Sequence, residues 1–121
     1  MERAAFEAVV AEALDDIPAE FARYLENVVV VIDDEPSAEL LRELGLDPRR
    51  DTLYGLYPGT PLPRRPHDFA ALPDRITIFA GPLGRDYPRA GDLRGQIRKT
   101  VVHEIAHFFG LDERRVRRLG F

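Results

Sequence analysis

Between residues 2 and 17 the apolar positions Phe6, Val9, Val10, Ala13, Leu14 and Ile17 recur at spacings of three and one. That is the stripe of an amphipathic helix, expected to pack on a sheet. Pro18 suits the first turn of a second, short helix in which Phe21, Tyr24 and Leu25 face the core before Asn27 ends it. Residues 28–32 are β-branched throughout and bounded by Asp33, Asp34, Glu35 and Pro36. The run is too short for a helix and predicts a buried central strand. The acids after it read as a solvated loop leading to a helix start. There Ser37 can cap a helix holding Leu40, Leu41 and Leu44, with Gly45 to close it.

Residues 52–57 predict a further strand, and the prolines of residues 58–63 predict a rigid loop, because proline has no amide to donate to a ladder. His67 lies just past that loop and reads as an incidental surface histidine. Residues 75–80 predict another strand, ended by Gly81 and Pro82, and residues 84–91 a Gly/Pro-interrupted loop at the rim of a cleft. A long helix is expected from Asp92 onward. At about 100° per residue, Leu93, Ile97, Val101, Ile105 and Phe108 share one face, extended by Val102 and Phe109, while His103 and His107 lie together on the other. One face carries the core and the other carries the chemistry. With no repeated βαβ unit and no fixed period, these elements predict an α+β fold, a mixed β-sheet packed with helices.

The chemistry sits in the run His103-Glu104-Ile105-Ala106-His107-Phe108-Phe109-Gly110-Leu111-Asp112-Glu113. Residues four apart on a helix stand one turn apart, so His103 and His107 can present two imidazoles to one tetrahedral Zn2+ ion. Glu104 is rotated about 100° from His103, which sets its carboxylate beside the metal's open position, within reach of a water. Gly110 can take the positive φ that ends a helix and turns the chain. Asp112 and Glu113 follow within three residues, so a third ligand is available locally from either.

Composition narrows the alternatives. A chain of 121 residues is one domain on the usual prior, so residues 1–121 are read as a single unit. The chain has no cysteine, which leaves any metal to imidazole and carboxylate. A formal charge of -4 gives no general attraction to nucleic acid or to anionic membrane. Arg114, Arg115, Arg117 and Arg118 are locally basic and read as a solvated helix face. The first sixteen residues carry acids throughout and no apolar block, so a cytoplasmic location is expected.

The run TVVHEIAHFFGLDE resembles the zincin metallopeptidases, and among them the small bacterial zincin-like proteins of about this length, which carry HExxHxxGxx followed by an acidic residue. The segments LYGLYPGTPLPRR and LPDRITIFAGPL, followed by the HExxH helix, extend the resemblance over the whole chain. Residue by residue, it implies His103 and His107 as the two imidazole ligands, Glu104 as the general base and Glu113 as the third metal ligand. A metzincin assignment fails: its third histidine would fall at 113, where this chain has Glu, and its methionine turn has no counterpart, since Met1 is the sole methionine.

The resemblance implies a zinc-dependent metallopeptidase that hydrolyses peptide bonds through a zinc-bound water, acting on a peptide or protein substrate. A peptide would add along an exposed strand edge near the helix, with residues 52–57 as the candidate. Tyr54, Tyr57 and Tyr87 are candidate oxyanion donors, with packing the commoner role for each. Two other classes stand beside this one: a zincin-fold binding module with weak or no turnover, and a zinc-dependent RNA hydrolase that uses the arginine-rich tail to hold phosphates. Asp112 is expected to cap a final helix over residues 113–119.

Overall fold

A computed structural model describes residues 1–57 and 74–121. The expected loop at residues 58–63 and His67 lie outside the described residues. Helix α1 (Arg3–Asp15) is followed by α2 (Ala19–Ala22), a single 3-10 turn (Arg23–Leu25), strand β1 (Val28–Asp33) and helix α3 (Ala38–Glu43). Strands β2 (Gly55–Leu56) and β3 (Asp74–Phe79) precede α4 (Ala80–Asp86), the long α5 (Ala90–Phe109) and α6 (Glu113–Arg118). The three strands lie in the order β1-β3-β2, with β1 parallel and β2 antiparallel to β3. The protein is therefore α+β with a small mixed sheet.

The core forms around α5. Leu93, Ile97, Val101, Val102, Ile105, Ala106 and Phe108 are buried along one side of that helix, the stripe that its periodicity predicts. Helix α1 turns Phe6, Val9, Val10 and Ala13 inward and lies chiefly against α5, where packing on the sheet was expected. From the sheet, Ile76 and Ile78 of β3 enter the same cluster fully buried. Alternation along β3 puts both on one face, which is why a three-strand sheet is enough to cover the helix.

Two expectations need correction. Residues 28–32 were expected to form a buried central strand, but β1 is at the end of the sheet order; none of its residues is buried and Val29 is 51% exposed. The unbroken β-branched run reports strand propensity, and propensity does not say whether the strand is flanked on both sides. The second correction concerns residues 80–91, where Gly and Pro were read as strand stop and loop. Instead α4 begins at Ala80 and takes Pro82 into its first turn, where an amide would have no helical acceptor in any case. Gly81 belongs there because its N–H donates to Asp34 O at 2.7 Å and a Cβ would collide with the Glu35 carboxylate. Arg85 then closes this corner with a two-pronged pair to Glu35 at 2.8 and 2.9 Å, and Arg3 pairs with Asp34, so these acids act as a solvated, paired loop.

The remaining elements follow the expected punctuation in part: residues 52–57 give only the two-residue β2, and α5 starts at Ala90 after Arg89, so Asp92 lies in its first turn and is not the cap. Ser37 Oγ accepts from Leu40 N at 3.0 Å to start α3, and Gly45, at φ 78°, ends it. Substitution separates the two kinds of apolar position. Ile97→Ala is expected to cost about 2–5 kcal/mol in urea unfolding, since it opens a cavity under α5, and Val29→Ala less than about 1 kcal/mol. Equal costs would put β1 in the interior of the sheet.

Candidate active site

Helix α5 carries His103, Glu104 and His107 in its last two turns, the two histidines on the side turned away from its buried stripe and Glu104 on the stripe's flank, one turn before Phe108. His103 and Glu104 are partly buried and His107 is exposed. The helix then stops abruptly. Gly110 adopts φ 69° and ψ 34°, and Leu111 N returns to Ala106 O at 2.8 Å, a left-handed termination that only glycine makes without strain. Asp112 follows as the N-cap of α6, its Oδ1 accepting from Arg114 N at 2.9 Å, the role its position predicts. Glu113 is the first residue of that helix and is exposed.

Glu104 faces strand β2. Its Oε2 accepts the main-chain N–H of Tyr57 at 3.1 Å. Burial raises its pKa above the ordinary carboxylate value, and the opposing pulls from the Tyr57 amide, then from His107 and His103, leave the net shift upward. A largely buried carboxylate of raised basicity near two imidazoles is the environment that favours proton transfer.

His103 is tied to the end of the chain. Its Nε2 lies 2.7 Å from the main-chain oxygen of Phe121. A main-chain oxygen can only accept, so Nε2 is the donor in this arrangement. Ligating imidazoles commonly donate their other N–H to a backbone carbonyl, so metal binding at Nδ1 keeps this bond and binding at Nε2 exchanges it. Phe121 is held firmly. Gly120, at φ 92°, turns the chain back, Phe121 N donates to Val116 O at 3.2 Å, and the ring packs edge-on against Phe21 at 5.9 Å beneath the Arg98 guanidinium.

The donor set suits zinc in kind: two imidazoles one helical turn apart, a carboxylate beside them, and no thiol in the chain. Among the described residues, no three His, Asp or Glu side chains are gathered closely enough to hold a metal ion, so Glu113 is not brought to the histidines in this arrangement. The tyrosines considered as oxyanion donors are engaged elsewhere. Tyr54 donates to Asp86 at 2.5 Å, a bond that raises its pKa, and the Tyr57 ring stacks on Phe108 at 3.7 Å. Tyr87 packs edge-on against Tyr54. In the arginine-rich tail, Arg114, Arg115, Arg117 and Arg118 are exposed and Arg115 pairs with Glu20.

Comparison with known proteins decides the family. A family model for zincin-like metallopeptidases matches residues 25–121, which is most of the chain. The chain belongs to the zincin-like metallopeptidase family. No curated protein matches it. Zincin-like proteins typically bind zinc, and the match spans every residue of the candidate site together with all three strands of the sheet. Among the described residues, no helix is long and apolar enough to cross a membrane.

Two participants in this zincin-like site were not anticipated from sequence, the Tyr57 amide and Phe121. A main-chain donor carries no residue signature. Phe121 had one: an aromatic just after a glycine at a helix end is the usual hydrophobic partner of such a termination. Asp112→Ala is expected to lower stability by about 1 kcal/mol through loss of the α6 cap, read by thermal or urea unfolding. No loss at all would mean that another group satisfies the first turn of α6.

Proposed function

We propose that this protein is a zinc metallopeptidase that hydrolyses peptide bonds, with Glu104 as general base and His103, His107 and Glu113 as the residues that hold the metal. The observation that carries the proposal is the placement of Glu104 on α5 beside two histidines one helical turn apart and against the main chain that follows β2, in a chain of zincin-like family. The chemistry that a bound zinc supplies is Lewis acidity toward water and toward the scissile carbonyl. Glu104 takes the proton of the attacking water and delivers it to the leaving amine, a role that its raised pKa serves in both directions. Among the described residues β2 ends the sheet order and lies against α5, which supports a reading in which an extended peptide pairs along it and orients its own amide with little demand on side chains. Glu113 follows the glycine turn by three residues, as the first residue of α6.

The substrate expected on these grounds is an unfolded protein or peptide. The binding-module alternative predicts metal without turnover, and the RNA-hydrolase alternative predicts RNA cleavage with steep salt dependence. Casein, as a generic unfolded protein, serves as the test substrate. Glu104→Gln is expected to keep the metal and to abolish casein hydrolysis, because an amide cannot accept the water's proton. Glu113→Ala is expected to weaken zinc binding by roughly tenfold or more in competition with a chelator, with little loss of fold. Parental hydrolysis in Glu104→Gln would remove Glu104 from the base role, and unchanged zinc affinity in Glu113→Ala would transfer the third-ligand role to another group.

A further inference from the structure

The bond from Tyr57 N–H to Glu104 depends on where β2 lies, and one residue governs that. In the antiparallel pair of β2 and β3, Phe79 N donates to Tyr54 O at 2.9 Å, and Leu56 stands opposite Thr77. Main-chain groups alternate along such a strand, so those of Gly55 and Tyr57 turn away from β3. Tyr57 N–H then reaches the Glu104 carboxylate.

The match between strand and helix is metric. Two residues of strand advance about 6.7 Å and four residues of helix about 6 Å, so Gly55 and Tyr57 can keep step with Thr100, Glu104 and Phe108. They do so with contacts at each step. A Cβ on Gly55 would stand 2.7 Å from Thr100 Cγ2 and 3.2 Å from Thr77 O, closer than any side chain can be accommodated without movement. The Tyr57 ring stacks on Phe108 with an interplanar angle of 10°. Gly55 is buried, with Thr100 of the helix and Thr77 of the neighbouring strand against it, and its φ is not in the left-handed region. The reason for glycine at 55 is therefore the close approach of β2 to α5, and not a turn.

We propose that Gly55 and Tyr57 are positioning residues for the general base: the missing side chain at 55 seats β2 on α5, and the outward amide of Tyr57 then holds one oxygen of Glu104 and leaves the other free for proton transfer. Only one carboxylate oxygen is engaged by this bond, which fixes the plane of the group while keeping a lone pair for the substrate water. This inference rests on the reading of Glu104 as the base.

The test uses the full chain and two readouts. The first is independent of activity: the Tyr57 amide in 1H–15N spectra is expected to shift upfield in Glu104→Ala, which removes its acceptor, and in the same direction in Gly55→Ala. The second is casein hydrolysis at equal zinc content. Gly55→Ala is expected to lower kcat by roughly tenfold to a hundredfold, since sub-ångström misplacement of a reacting group has effects of that order. Its loss is expected to be smaller when measured in the Thr100→Ser background, which removes the Cγ2 methyl that the new Cβ would strike. A purely structural role for Gly55 predicts loss of stability and of metal together, with no dependence on residue 100. If Gly55→Ala does not fold, the Tyr57 amide in Glu104→Ala still decides, and an unmoved resonance there overturns the inference. An unchanged kcat in Gly55→Ala overturns it as well. Parental activity in Glu104→Gln instead removes the base assignment itself, so the two failures are separable.

Discussion

Burial of one side of α5 is the constraint on which the rest depends. Seven side chains from Leu93 to Phe108 leave water on that side, each fully buried aliphatic or aromatic group contributing about 1.5–3 kcal/mol of transfer free energy. Once that side is fixed against α1 and β3, the rotation of the helix is fixed too. His103 and His107 are then turned to the opposite side and Glu104 to the flank that meets the β2 segment, and their mutual spacing follows from helical geometry. A single packing decision thus sets both the core and the candidate site. The site also has a second, independent wall, because β2 meets the helix along Thr100, Glu104 and Phe108.

Much of this was legible in residues. The period of the apolar positions located α1 and α5, the Ser37 and Asp112 caps located the starts of α3 and α6, and the glycine at 110 marked the end of the active helix. Sequence failed where one local signal serves two structures. Gly81-Pro82 ends a strand and also opens a helix, and only the close approach of Asp34 and Glu35 to Gly81 tells which. Val28 to Ile32 says strand without saying edge. The site was legible as side chains and not as main chain, so the Tyr57 amide was invisible until β2 was placed beside α5.

Electrostatics ties the local structure to the chemistry. Desolvation by the same packing that stabilises α5 is the largest influence on Glu104 and raises its pKa, and the Tyr57 amide opposes that shift while fixing the carboxylate in place. An orphaned buried carboxylate would be costly, so the amide also satisfies a polar group that the fold places next to its core. His103 is satisfied from the other direction by Phe121, whose ring is itself a core residue. Glu104 and His103 are therefore each oriented by a main-chain group from a different segment, the residue after β2 for Glu104 and the residues after α6 for His103.

The central claim is that the two imidazoles of α5 belong to a zinc site. Metal content by elemental analysis of protein purified without an affinity tag tests it most directly. About one zinc per chain is expected in the parent, falling to near zero in both His103→Ala and His107→Ala, because the ligands that remain cannot hold a tetrahedral ion. A parent that stays metal-free after incubation with zinc, or full occupancy in either variant, would contradict it.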